Sequence, residues 1–84
     1  MYKIKITKRA IKDINSLTEK GRLKLKEILV ATIAQRPRVG KKLVGELQGN
    51  YSFRLDLKNR IVYSIDEEER VVYIKRARTH YGKK

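Results

Sequence analysis

The sequence predicts an α+β fold with the element order βααβββ, in which a helix pair packs on one face of an antiparallel sheet. Apolar residues alternate with polar ones at the start of the chain and again in its second half. Between these regions they recur with the period of an α-helix. A chain of 84 residues has room for one core, so we expect residues 1–84 to form a single domain.

The first half of the chain is predicted to form one strand and two helices. Residues 2–6 alternate apolar and basic side chains, which is typical of a half-buried strand. Thr7 and Thr18 can cap the two helices, because a threonine hydroxyl accepts a hydrogen bond from a first-turn amide. The second helix has the clearer apolar stripe, formed by Leu25, Ile28, Leu29, Thr32 and Ile33. Pro37 ends it, because its ring disfavours helical geometry at the preceding residue.

The second half of the chain is predicted to form a basic loop and a three-stranded meander. Residues 36–49 carry four basic residues and three glycines, which indicates an irregular segment. The predicted strands are residues 51–57, 60–66 and 70–76. Residues 58–59 and the acidic residues 66–69 form the two turns. With helices on one face of this sheet, the other face is free for a ligand.

Composition excludes several kinds of site. The chain has no cysteine, so it has no disulfide, thiol nucleophile or thiolate ligand for zinc. One histidine and few carboxylates argue against a metal centre, and no cofactor motif is present. No apolar run approaches the roughly 20 residues that span a bilayer, and the N-terminus does not resemble a signal peptide. We therefore expect a cytoplasmic protein that does not bind membranes.

The net charge of +13 predicts an acidic partner. Charge of one sign on so short a chain repels itself and destabilises the compact state. Phosphate is a natural counterion, because the guanidinium fork matches its oxygens. A basic surface that serves only solubility is the weaker interpretation, because such surfaces usually mix both signs.

The end of the chain carries the residues best suited to chemistry. Arg78, His80 and Tyr81 follow the last predicted strand. A histidine with a pKa of ~6.5 transfers protons in both directions near neutrality, a tyrosine can donate a proton or stack on a base, and an arginine neutralises charge on phosphate. These groups suffice to cut RNA without a metal. From spacing alone, a basic tail with an incidental histidine and tyrosine is about as good an interpretation.

Further basic residues are candidates for contacting RNA. Arg54 and Arg60 lie on adjacent predicted strands, so both side chains can reach one phosphate. Their alternative role is to block edge-to-edge aggregation. Residues 36–42 and 70–84 form two basic clusters without acids, and they supply the other candidates, Lys41, Lys42 and Arg76. Glu46, the one carboxylate among residues 36–49, could act as a base or pair with a nearby lysine, and we favour the pair.

The chain resembles the RelE/YoeB-type toxins of toxin–antitoxin pairs. The likeness covers nearly the whole element order and is most specific in two places, residues 42–63 and the ending at residues 78–81. It implies the toxin component of a type II system, a ribosome-dependent endoribonuclease that cuts mRNA by attack of a 2′-hydroxyl on the phosphodiester. It also implies silencing by an acidic antitoxin, which would account for the predicted acidic partner.

The resemblance also assigns roles to individual residues. Arg60 matches the strand arginine that contacts the scissile phosphate, and Arg78 matches the arginine near the terminus. His80 and Tyr81 match the terminal acid and the tyrosine that contacts a base, while Arg54 matches a basic position in the preceding strand.

Two positions depart from the family pattern. Lys41 stands where the YoeB branch has a catalytic glutamate, and Ser52 stands where the RelE branch has a lysine. Either His80 or a displaced Glu46 must then serve as the base.

Two other functions remain open. One is a non-catalytic gyrase inhibitor of the same fold, as in the ParE branch. The other is a basic module that binds RNA or the ribosome. His80 and Tyr81 beside Arg78 favour the nuclease, because inhibition by binding needs no proton-transfer pair.

Overall fold

The computed structural model describes residues 1–78, which contain five strands and two α-helices. The strands are β1 (Lys3–Ile6), β2 (Lys41–Lys42), β3 (Tyr51–Arg54), β4 (Arg60–Asp66) and β5 (Val71–Arg76). The helices are α1 (Lys8–Asn15) and α2 (Glu19–Ile28), and a π-helical turn (Leu29–Ile33) extends α2. Two 3-10 turns, Pro37–Val39 and Gly45–Leu47, flank β2. The predicted α+β class is confirmed, with β2 as an additional strand.

The sheet has the order β1-β5-β4-β3-β2 and is mixed, so the prediction of a fully antiparallel sheet is wrong in one respect. β1 pairs with β5 in parallel, with Lys3 opposite Val71 and Ile6 opposite Ile74. The other three pairings are antiparallel, as predicted for the meander. Alternation of apolar and polar residues identifies a strand but carries no information about its partner or direction. The helix pair provides the crossover that a parallel pairing requires.

The helix boundaries follow the predicted caps. The hydroxyl of Thr7 accepts a hydrogen bond from the Ala10 amide at 3.2 Å, and that of Thr18 accepts one from Gly21 at 3.0 Å. α2 and its π-helical turn cover the helical stretch predicted before Pro37.

The loop between β3 and β4 starts earlier than predicted, because the Asp56 carboxylate accepts hydrogen bonds from the amides of residues 58 and 59 at 2.9 and 2.7 Å. This side-chain turn ends β3 at Arg54 and forms the predicted turn at residues 58–59.

The core lies between the helices and one face of the sheet. The helices contribute Ala10, Leu17, Leu25, Leu29 and Ile33, and the sheet contributes Tyr51, Ile61, Tyr63, Val72 and Ile74. Ile28 is only partly buried and packs at the margin of this cluster. Of the predicted stripe of the second helix, Leu25, Leu29 and Ile33 are buried, whereas Thr32, like Ile28, is only partly buried.

A buried tyrosine attaches the segment before β2 to the sheet. The Tyr63 hydroxyl donates to the Pro37 carbonyl at 2.6 Å and accepts from the Gly40 amide at 3.1 Å. Burial raises the pKa of Tyr63 to about 12, so the hydroxyl stays protonated and can donate. A Cβ at Gly40 would collide with this hydroxyl and lie 2.9 Å from the Ser52 carbonyl oxygen. Close backbone approach thus requires glycine there.

Replacing Tyr63 by phenylalanine should destabilise the fold, because the buried Pro37 carbonyl and the partly buried Gly40 amide lose their partner. We expect a loss of about 1–3 kcal/mol in the free energy of unfolding, measured by urea denaturation. Tyr51→Phe is the matched control: its ring stacks on Tyr63 at 5.6 Å, and its hydroxyl has no hydrogen-bond partner within residues 1–78. Equal effects of the two substitutions would contradict the assigned role of the Tyr63 hydroxyl.

Candidate nucleic-acid interface

The face of the sheet opposite the core is strongly basic. In the strand register, Lys41 lies opposite Ser52, and Arg54 lies directly opposite Arg60. Paired residues share a face and side chains alternate along each strand, so these four residues lie on the face away from Tyr63. We call this surface the open face.

The parallel pairing extends the open face to the other edge of the sheet. Lys3 pairs with Val71 and Lys5 with Tyr73, which places both lysines on the open face. Across the strands, the cations of this face include Lys3, Lys5, Lys41, Arg54 and Arg60, and Arg76 pairs with Val62 of the same face beyond a bulge. Asp66 is the carboxylate that the register places with them, and it accepts from the Glu69 amide at 3.1 Å. The alternation of residues 2–6 does not indicate the partner of β1, so the place of these two lysines on the open face is visible only in the structure.

Arg60 is the best-oriented cation of the open face. Its side chain is half-buried, and its Nη1 donates to the Ser52 hydroxyl at 3.4 Å. Ser52, at a position where the RelE branch has a lysine, is itself 3% exposed. Arg54 is exposed and lies across from Arg60, so the predicted juxtaposition of the two arginines is confirmed. Two guanidinium groups side by side on an open surface can bind one phosphate group.

The arginines at the end of β5 are held by α1 instead. Arg76 donates to both carboxylate oxygens of Asp13, from Nε at 2.7 Å and from Nη2 at 3.3 Å. Arg78 donates from Nη1 to the Ser16 hydroxyl at 3.1 Å. Arg76, predicted to contact RNA, therefore has an ion pair within the protein. His80 and Tyr81 lie outside the described residues.

The remaining predicted site residues lie apart from the open face. Lys42 pairs with Tyr51 in the register and so belongs to the opposite face from Lys41. Glu46 is exposed in the 3-10 turn Gly45–Leu47 and forms no ion pair within residues 1–78. The favoured pairing of Glu46 with a lysine is therefore not observed.

An acidic turn neutralises part of the basic segment at residues 36–42. Glu67, between β4 and β5, accepts from Arg38 and from the Tyr2 hydroxyl, the latter at 2.6 Å. These hydrogen bonds hold the pKa of Glu67 below its usual range. Residues 36–42 contain no acid along the chain, but the fold brings Glu67 to Arg38.

Within residues 1–78, two carboxylates form ion pairs, and that of Asp13 is the more buried. Burial raises its pKa, but hydrogen bonds from Arg76 and from the Ala77 amide outweigh this, so the net pKa lies below its ordinary value. Its side chain is 12% exposed, against 44% for Glu67. The contacts of the folded state therefore favour the charged form of Asp13.

Asp13 should therefore contribute stability that depends on acid pH. Because its pKa is lower in the folded than in the unfolded chain, the contribution is complete above the unfolded value of about 3.9 and is lost as pH falls through the folded value. Asp13→Asn should cost about 1–3 kcal/mol at pH 7 and should flatten the acid limb of the stability profile. Thermal unfolding of both proteins from pH 7 to pH 2 measures this. Parallel profiles would show that the carboxylate charge contributes nothing.

Comparison with known families gives one match over most of the chain. The sequence model described as the ParE toxin of the type II toxin–antitoxin system parDE matches residues 4–81. A comparison with curated proteins finds no match.

Solved structures share the fold over nearly the whole chain. The RelBE2 toxin–antitoxin complex from Mycobacterium tuberculosis contains a chain with 31% identity and a TM-score of 0.85, and the match covers 94% of this chain and 98% of that one. The isolated E. coli RelE toxin has 27% identity and a TM-score of 0.81, with 100% and 89% covered. The YoeB–YefM complex from Staphylococcus aureus gives 25% identity and a TM-score of 0.79, with 96% and 99% covered.

Proposed function

Since the chain belongs to the ParE toxin family of type II toxin–antitoxin systems, we propose that it is a toxin that cleaves mRNA on the ribosome. The observation that carries this proposal is the orientation of Arg60 by Ser52, with Arg54 across from it on the open face. A guanidinium oriented in this way is suited to stabilising negative charge that develops on a phosphate in a transition state. Similarity to the RelE and YoeB structures supports the nuclease branch of the family.

In the proposed reaction a base removes the proton of a 2′-hydroxyl, whose oxygen attacks the adjacent phosphorus. The bond to the 5′-oxygen of the next nucleotide breaks, and an acid protonates that oxygen. Arg60 and Arg78 stabilise the added negative charge of the phosphorane-like transition state. His80 and Tyr81 are the proposed proton-transfer groups, with Glu46 as the alternative base. No step of this reaction requires a metal.

A second candidate function is the inhibition of DNA gyrase by binding, favoured by the match to the ParE family model. That function would use the basic surface but would need no acid or base. The sequence of Arg78, His80 and Tyr81 supports the nuclease over the inhibitor.

The proposed partners are the ribosome with its mRNA and a cognate acidic antitoxin. The RelBE2 and YoeB–YefM structures are toxin–antitoxin complexes. Here, an apolar groove of about 290 Å³ lies between β1 and the helices. Its walls include Ile4, Ile6, Ile14, Leu25, Leu29 and Val30, with Arg22 and Lys26 also lining it. Apolar residues flanked by acids in an antitoxin segment would complement both the walls and the cations.

Arg60→Ala should slow mRNA cleavage about 10²–10³-fold while leaving ribosome affinity near that of the wild type, because Arg60 acts mainly on the transition state. Cleavage is followed by primer extension on ribosomes programmed with a defined mRNA. Activity should survive chelation mild enough to keep the ribosomes intact.

Arg9→Ala is the matched control for Arg60→Ala, since it removes the same charge from an exposed position on α1. It should cleave at nearly the wild-type rate. If the two variants lose the same small fraction of activity, Arg60 contributes only net charge and the proposed site is wrong.

Val30→Asp should weaken antitoxin binding at least about tenfold, because it places a charge in the apolar groove against an acidic partner. Val30 is 56% exposed, so the toxin itself should still fold. Leu23→Asp is the control, since it adds the same charge to an exposed residue outside the groove walls. Titration calorimetry with the cognate antitoxin measures both. Equal affinities would place the antitoxin elsewhere.

A further inference from the structure

The last turn of α1 holds the chain where it leaves the sheet. The Asp13 carboxylate accepts two hydrogen bonds from Arg76, the final residue of β5, and a third from the backbone amide of Ala77 at 3.1 Å. Ala77 is fully buried. The next residue, Arg78, donates to the Ser16 hydroxyl, which in turn donates to the Asp13 carbonyl at 2.7 Å. Three successive residues are therefore fixed by one helix end.

The sheet topology produces this arrangement. β1 runs parallel to β5, and the Thr7 amide after β1 donates to the Ile74 carbonyl near the end of β5 at 3.1 Å. α1 begins at the next residue and therefore packs beside the carboxyl end of β5. The Asp13 side chain lies within reach of the point where the sheet ends.

The contacts of Asp13 exceed what an ion pair for stability requires. In a chain of net charge +13, a carboxylate can form an ion pair at many surface positions. Asp13 also accepts a hydrogen bond from a backbone amide 64 residues away. A hydrogen bond to a backbone group constrains the path of the chain. The residues proposed for the chemistry begin at the very next position along the chain, Arg78, followed by His80 and Tyr81.

We propose that Asp13 is a positioning residue for RNA cleavage: by fixing the chain at Arg76 and Ala77, it sets the position of Arg78, the first of the residues proposed for the chemistry. This inference rests on the proposed nuclease function. Asp13 touches no substrate in this scheme and acts through Arg78. Displacement of a catalytic group by about 1 Å can cost about 10²-fold in rate, so a small shift at Ala77 should be visible in kcat.

A double-mutant cycle tests the inference. Asp13→Asn should lower single-turnover kcat about 10–100-fold, with KM within about twofold of wild type. Arg78→Ala should lower kcat about 10²–10³-fold. Because Asp13 acts through Arg78, adding Asp13→Asn to Arg78→Ala should change kcat by less than about threefold. Equal factors in the two backgrounds, or wild-type kcat in Asp13→Asn alone, would overturn the inference.

Two further variants test the inference if Asp13→Asn does not fold and control for the loss of an ion pair elsewhere. Ser16→Ala removes the hydrogen bond to Arg78 and leaves the Asp13 ion pair in place, so it should lower kcat about fivefold even if Asp13→Asn does not fold. In that case the double-mutant cycle is repeated with Ser16→Ala in place of Asp13→Asn. An unchanged kcat in Ser16→Ala counts against the inference. Glu67→Gln removes the Arg38 ion pair and should keep wild-type kcat.

Hydrogen exchange separates this inference from the proposed function. A wild-type protein that cleaves no mRNA refutes the nuclease. The Ala77 amide should be protected in the wild type and should exchange at least about tenfold faster in Asp13→Asn, relative to amides in β4. An unchanged Ala77 exchange rate would refute the anchoring role of Asp13, whatever the enzyme does.

Discussion

The parallel pairing of β1 with β5 is the constraint on which the rest of the structure depends. It makes the last strand of the sheet an interior strand, with β1 on one side and β4 on the other. It also places the start of α1 beside the carboxyl end of β5, where Asp13 accepts a hydrogen bond from the Ala77 amide. Finally, it places Lys3 and Lys5 on the open face. One pairing thus connects the helix layer, the basic surface and the exit of the C-terminal segment.

The charge distribution follows from a division between the two faces of the sheet. One face packs against the helices and contains the buried aromatic pair Tyr51 and Tyr63. The other presents guanidinium and ammonium groups whose mutual repulsion opposes folding. Buried contacts offset that repulsion. The Tyr63 hydroxyl also attaches the segment before β2 to the core through its hydrogen bonds with Pro37 and Gly40. A partner of opposite charge would relieve the repulsion, which links the need for stability to the proposed antitoxin and RNA.

Local patterns in the sequence predicted the local structure well. The caps at Thr7 and Thr18, the core stripe at Leu25, Leu29 and Ile33, and the pairing of Arg54 with Arg60 are each readable from spacing within a short window. The family-level identification is likewise confirmed. The roles of individual catalytic residues stay predictions.

What the sequence did not predict depends on contacts between distant segments. Nothing near Asp13 indicates that its carboxylate would bond a residue 64 positions later. Ser52 departs from the lysine of the RelE branch, and its role is visible only in the contact with Arg60. β2 has two charged residues and no alternation, so it gives no strand signal. In each case the information lies in the tertiary pairing.

The most direct measurement compares the two activities of this family in one purified preparation. Ribosomes programmed with mRNA and DNA gyrase acting on relaxed plasmid are each treated with the same toxin concentrations. The account predicts ribosome-dependent cuts that leave a 5′-hydroxyl and a 2′,3′-cyclic or 3′-phosphate, with supercoiling unaffected. Intact mRNA together with a loss of supercoiling would contradict it.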